Sequence, residues 1–256
     1  MPTTVFAFSC HPDDIEFMMG GTLFLLQQAG CTLHYLNVAN GSCGSTELGP
    51  AETAAKRRIE AQAAAALLGA VFHESLAPDL EVFYTPELVR RATAVIREVK
   101  PDILLLPSPE DYMEDHMNTS RIGVTAAFCR GMPNFATLPP VAPTFQDVAL
   151  YHALPYGLAD GLRRRIQPDF YVDVSTVIDR KQAMLACHES QKKWLDVSQG
   201  LDSYLIAMRD MSAEVGRMSG RFRFAEGWRR HSHLGFSARD TDPLAELLRG
   251  HITAHS

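Results

Sequence analysis

Residues 103–106 read Ile-Leu-Leu-Leu and stop at Pro107, an apolar run with no polar alternation. A strand with one wet face alternates, whereas a strand without alternation is covered on both faces, as in a parallel sheet held between helices. The stretch 4–10, built on Val5-Phe6-Ala7-Phe8, is a second buried strand and runs into charge. Between the two, helical and extended patterns alternate. Gly20-Gly21 opens an apolar helix over 22–29 that closes near Gly30, residues 32–38 form a strand, and a polar loop follows over 40–49. Pro50 begins an Ala-rich helix to Leu68, ended by Gly69, before a short strand at 71–73. From Pro86 the apolar residues Leu88, Val89, Ala92, Val95, Ile96 and Val99 recur at helical spacing. This order predicts an α/β fold: an open, mostly parallel sheet with helices on both faces and right-handed crossovers. In such a sheet, ligands bind beyond the carboxyl ends of the strands.

The second half is less legible. Residues 118–129 read as a helix and 132–146 as a loop rich in proline. Strands are expected at 148–151 and 170–172, then a helix capped by Ser175 or Thr176 and running through Lys192, then helical structure over 201–215. The basic and aromatic stretches Lys192-Lys193-Trp194 and 221–230 are read as a loop that covers the site or pairs subunits. No composition shift marks a boundary, so residues 1–256 are read as a single domain, whose looser part from about residue 132 contributes loops over the site.

Hydrophobic residues make up 46% and charged residues 21% of the chain, with a net charge of −6. That describes an ordinary globular protein without the broad basic surface a nucleic-acid backbone requires. No apolar run approaches the roughly 20 residues of a membrane span, and no basic segment followed by an apolar stretch marks a signal peptide. The expected location is the cytoplasm, with no membrane partner. The five cysteines are odd in number and scattered, which suits reduced thiols. Cys10, in an apolar strand, is read as a small buried hydrophobe.

Two strand ends carry the chemistry. His11-Pro12-Asp13-Asp14 follows the first strand, and Pro109-Glu110-Asp111-Tyr112-Met113-Glu114-Asp115-His116 follows the strand at 103–106. Carboxylates there must find partners or suffer desolvation. A catalytic zinc takes three ligands from His, Asp or Glu and keeps an open position. His11, Asp14 and His116 can supply that set, and Asp13 can stand beside a metal-bound water as general base. Iron(II) would suit nearly the same donors. Taken singly, His11 and Asp14 also read as a cap or salt bridge and His116 as a surface residue. The two strand-end positions are what join them.

On these residues the chain resembles the PIG-L/LmbE-like zinc-dependent N-deacetylases, whose first strand ends in an Ala-His-Pro-Asp-Asp-Glu type motif. The form here is Cys10-His11-Pro12-Asp13-Asp14-Ile15-Glu16. Arg57 with Glu60, Asp79, the block at 109–116, Lys181, His188 with Ser190-Gln191, and Ala225-Glu226 before Trp228 follow in the matching order. The resemblance implies a Rossmann-like fold and hydrolysis of an N-acetyl group on a small amino-sugar-like molecule or conjugate. It also implies zinc on His11, Asp14 and His116, Asp13 as the base, Arg57 and Asp79 as substrate contacts, and a homo-oligomer. An ion pair of Arg57 with Glu60, one turn on, is an equal reading for that arginine.

One position departs from the pattern. The family block reads Pro-x-Asp-x-His-x-Asp-His, and Met113 stands where its first histidine is placed to stabilise an oxyanion. A thioether donates no hydrogen bond, and losing one such donor costs about 2.7–4 kcal/mol of barrier. His188, Arg229, His231, His233 and Asp115 are the candidates for that role or for support behind the ligands. Two other functions stay open. One is a degenerate member that binds metal and glycan without turnover. The other is a nucleotide-binding α/β protein, although no Gly-x-Gly-x-x-Gly follows the first strand and Gly41-Ser42-Cys43-Gly44 lies after the second.

Overall fold

The computed structural model describes residues 2–191 and 204–254. One sheet of eight strands runs through them in the order β3-β2-β1-β4-β5-β7-β6-β8. Strand β1 (Thr4–Ser9) lies between β2 (Thr32–Asn37) and β4 (Ile103–Leu106), parallel to both. β3 (Val71–His73) flanks β2 and β5 (Ala149–Ala153) flanks β4, again parallel. β6 (Phe170–Asp173), β7 (Ala225–Arg230) and β8 (Ile252–Ala254) extend the sheet through antiparallel pairs. The result is the mixed, mostly parallel α/β sheet expected from the sequence. The chain moves outward from β1 to β2 and β3, then returns to lay β4 on the other side of β1. That reversal opens a crevice at the carboxyl ends of β1 and β4.

The missing alternation in β1 has a direct cause. Val5 and Ala7 enter one core with Leu23, Ala61, Ala64, Ile178 and Trp228. Phe6 and Phe8 enter the opposite core with Leu88, Ile96, Ile122 and Ala126. All four strand residues are fully buried. Helices α2 (Gly20–Gln28), α3 (Pro50–Leu67) and α6 (Ile178–Leu185) cover the first face, and α4 (Pro86–Val99) and α5 (Glu114–Cys129) the second. α7 (Tyr204–Met218) adds Tyr204 and Met208 to the first core, and α8 (Pro243–Leu247) adds Leu244. No helix among the described residues is long and apolar enough to cross a membrane.

Several elements differ from the sequence reading. A short helix α1 (Asp14–Met18) precedes α2, and Gly20-Gly21 are its successor's first residues rather than a preceding turn. Gly21 is there for close approach, since a Cβ would meet Val174 Cγ1 at 2.5 Å. α5 begins at Glu114, ahead of the expected start, because Asp111 Oδ1 accepts from the Met113 N–H and acidic Glu114 and Asp115 suit a helix N-terminus. α6 is capped by neither Ser175 nor Thr176; Val177 takes the cap position, and the helix stops at Leu185. Lys192-Lys193-Trp194 and 201–203 lie outside the described residues. The stretch 221–230 is not a loop over the site, because its second part is the inner strand β7.

Candidate metal centre and active site

The loop from β1 into α1 carries His11 and Asp13 and the first residue of α1 is Asp14, while the loop from β4 into α5 carries Asp111 and the first turn of α5 carries Asp115 and His116. Ala7 pairs with Leu105, so the two strand ends lie side by side. His11 Nδ1 is 3.2 Å from His116 Nε2, and Asp14 Oδ2 is 3.6 Å from the first and 3.4 Å from the second. Donors about 2.0–2.2 Å from a tetrahedral ion stand roughly 3.3–3.6 Å apart. The three atoms therefore form one face of such a polyhedron. Cys10 Sγ belongs to the same cluster, within 4.8 Å. It lies 3.8 Å from His11 Nε2, the nitrogen that faces Asp115 rather than the triangle. Burial pushes that thiol up to about 11.

A carboxylate stands behind each imidazole. His11 Nε2 lies 3.2 Å from Asp115 Oδ2, and His116 Nδ1 lies 3.1 Å from Asp111 Oδ1. Metal-binding histidines are held in this way, because a partner on the second nitrogen fixes both tautomer and ring direction. Asp115 is held in turn by the Leu80 N–H at 2.7 Å. Burial opposes ionisation of Asp14, but the imidazoles of His116 and His11 outweigh it and hold the carboxyl well below the usual range. The candidates read from the sequence included Asp115 and not Asp111, although Asp111 stands at the first aspartate of the block at 109–116.

Asp13 sits beside the triangle with φ 101°, a left-handed backbone in a residue that carries a Cβ. Such a conformation costs on the order of 1–3 kcal/mol and persists only where the surroundings impose it. Its Oδ2 accepts a 2.6 Å hydrogen bond from the Tyr204 hydroxyl and lies 3.4 Å from Arg57 Nη2. Burial pushes its carboxyl up, and the Arg57 guanidinium opposes that push.

Arg57 is buried and donates to the Pro12 carbonyl and to Gln191 Oε1. It makes no pair with Glu60, which accepts instead from the Ser190 N–H and hydroxyl at 2.9 and 2.5 Å. Asp79 uses one oxygen on the Gly41 N–H and the other on the Cys43 N–H, at 2.6 and 2.9 Å. It holds the loop 41–44 against the arginine. At Gly44 a Cβ would lie 2.6 Å from Arg57 Nη1.

Of four candidates from the second half, His188 lies behind Asp13, close enough to act on its charge, and the three that follow Trp228 lie elsewhere. His188 is fully buried, 3.1 Å from Glu16 Oε1, which also accepts from the Tyr35 hydroxyl. Arg229 pairs with Glu110 and Ser108, and His231 Nδ1 lies 3.0 Å from His152 Nε2; both line a separate recess of about 540 Å³. His233 faces Asp240 at 3.6 Å. The cause is strand direction. β7 enters at the carboxyl edge and runs antiparallel to β5, so residues after Trp228 travel away from the site. Glu226, at the near end of β7, accepts from the Gly21 and Thr22 N–H groups at 2.8 and 2.7 Å and pairs with Lys181 at 2.7 Å, all buried.

Over the triangle opens a cavity of about 510 Å³. Phe17, Met18, Met19, Leu80, Met113, Leu154 and Pro155 give it largely apolar walls, broken by Tyr112 and Tyr156. The Tyr112 ring meets His116 edge-on, with centroids 5.7 Å apart. Burial, then the carboxylates of Asp14, Asp111 and Asp13, push its hydroxyl above the usual range.

Comparison with known proteins finds relatives of the whole fold. The family described as "PIG-L: GlcNAc-PI de-N-acetylase" matches residues 6–127. A diacetylchitobiose deacetylase of Thermococcus kodakarensis is 32% identical over 229 residues, covering 86% of this chain and 79% of the relative. A 4-oxalmesaconate hydratase of Pseudomonas putida is 26% identical over 198 residues, covering 72% of each. Among solved structures, the N,N'-diacetylchitobiose deacetylase from Pyrococcus horikoshii superimposes with a TM-score of 0.73 at 25% identity, covering 94% of this chain and 88% of that one.

Proposed function

The chain belongs to the PIG-L family of de-N-acetylases, and on that premise we propose that it is a metal-dependent hydrolase removing the N-acetyl group of a small amino-sugar-like molecule or conjugate. The observation that carries this reading is the His11–Asp14–His116 triangle with a carboxylate behind each imidazole. Two imidazoles and one carboxylate with an open side suit zinc, and iron(II) nearly as well. When bound, the ion supplies Lewis acidity toward the amide carbonyl and makes water a stronger acid.

Asp13 accepts the proton of the attacking water as the new C–O bond forms. It returns that proton to the amide nitrogen as the C–N bond breaks, and acetate and a free amine leave. Tyr204 and Arg57 aim and partly neutralise Asp13, so Arg57 acts on the substrate through it. Asp79 shapes the cavity wall by holding the loop 41–44. The carboxylates at the start of α1 stand where a dinucleotide fold offers free N–H groups to a pyrophosphate, which disfavours a nucleotide ligand.

The test is to measure bound metal and then acetate release across a panel of N-acetyl amino sugars and their conjugates. Stoichiometric metal with no acetate from any member favours the non-hydrolytic alternative. Met113 motivates one further reading: hydration of an unsaturated carboxylate uses an activated water without an amide oxyanion. A relative bears a hydratase name. Loss of ultraviolet absorbance from conjugated unsaturated acids, with no acetate from amides, would support that reading.

A further inference from the structure

Amide hydrolysis places a negative charge on the former carbonyl oxygen, and donors aimed at that oxygen are commonly the largest source of rate. Around the triangle, most groups able to donate are already engaged. His11 and His116 face the ion position with one nitrogen and a carboxylate with the other. The Tyr204 hydroxyl is committed to Asp13, and Ser108 Oγ to the Glu110 carbonyl. Arg57 is turned to Pro12 and Gln191, which fixes Gln191 on the Asp13 side. Met113 has no hydrogen to give.

Two phenols of the cavity wall remain, Tyr112 and Tyr156, and of the two it is Tyr112 whose ring meets a proposed ligand. Its hydroxyl bonds to no group among the described residues, and its ring lies edge-on to the ring of a proposed ligand, His116. The residue before it, Asp111, is the carboxylate that orients His116. A second ring contact, to Tyr156 at 6.3 Å, steadies it at the cavity mouth, where it remains 54% exposed. A phenol titrates near 10 in water, so it is a neutral donor at working pH.

We propose that Tyr112 donates the hydrogen bond that stabilises the oxyanion, taking over the role a histidine at position 113 would play. This rests on the hydrolase reading above. The assignment predicts that Tyr112 touches the tetrahedral species more closely than the planar amide.

Tyr112→Phe removes the hydroxyl and keeps the ring, and the exposed position leaves the fold intact. Three quantities are measured on wild type and variant: metal content, the kcat and KM for acetate release, and calorimetric affinity for a methylphosphonate analogue beside affinity for acetate. The expected result is unchanged metal, kcat lower by ~10²–10³-fold, and KM within ~3-fold. Phosphonate affinity should fall by ~10-fold or more with acetate affinity unchanged. An active wild type whose variant keeps full kcat and phosphonate affinity overturns the Tyr112 assignment alone. So does loss of metal from the variant, which would make Tyr112 a support for His116. A metal-loaded wild type that neither releases acetate nor binds the phosphonate overturns the hydrolase reading, and the assignment with it.

Discussion

Tyr204 donates a 2.6 Å hydrogen bond to Asp13, across 191 positions of chain. The contact fixes a carboxylate whose backbone is already in a left-handed conformation. Asp13→Asn keeps the shape and leaves an amide oxygen for Tyr204 to reach. Metal content should stay at the wild-type level while kcat falls by ~10²–10⁴-fold. Elemental analysis and acetate release read the two quantities, and wild-type turnover would remove Asp13 from the reaction.

Asp111 touches His116 and not the ion position, so its effect on metal is indirect. Asp111→Asn should weaken metal affinity by ~10–100-fold without changing the number of ions bound. Competition against a chelator measures this. An unchanged affinity would mean that packing alone sets the imidazole direction.

Lys181 and Glu226 form a buried pair, 1% and 3% exposed. Lys181→Met leaves the Glu226 charge without its cation and should destabilise the fold by about 3–5 kcal/mol. Adding Glu226→Gln removes the unpaired charge and should recover part of the loss, since one N–H at the start of α2 keeps an amide oxygen while the other loses its acceptor. Urea unfolding of both variants checks the pattern; equal stabilities would show that the pair contributes nothing as a pair.

Burial, with lesser pushes from His231 and Arg229, lowers the His152 imidazole to about 4. Its unfolded value is near 6.5. Between those values the unfolded chain binds the proton and the folded one does not, so stability rises with pH there. The contribution is complete above about pH 6.5 and is lost as the pH falls toward 4, by roughly 3 kcal/mol. Replacing His152 with Gln should flatten this part of the stability–pH curve. An unaltered slope would assign the acid sensitivity to other groups.

The parallel half of the sheet was legible because its central strands β1 and β4 are apolar on both faces and its helices are punctuated by Pro50, Gly69 and Pro86. β7 was not. Glu226 looks like a surface residue until Lys181 and two helix N–H groups are found around it. Gly227 looks like a turn, yet a Cβ there would meet Leu154 Cδ1 at 2.5 Å. Within the site, His11, Asp14 and His116 stand out as ligand types at strand ends. Asp111 matches the first aspartate of the family block, but its role behind His116 is hidden, because one carboxylate among Glu110, Glu114 and Asp115 looks like solvated charge. The histidines and arginine after Trp228 were misplaced for want of strand direction, which residue types do not encode.

The clamp of Glu226 on the first turn of α2 has a consequence for how the site is divided along the chain. The three proposed ligands all lie at or before His116. Tyr204 and Glu226 come far later in the sequence. Asp13 is thus held in place by a part of the chain that supplies none of the proposed ligands. On the proposed reading, the residues that hold the ion and the tyrosine that aims the base therefore come from opposite halves of the sequence.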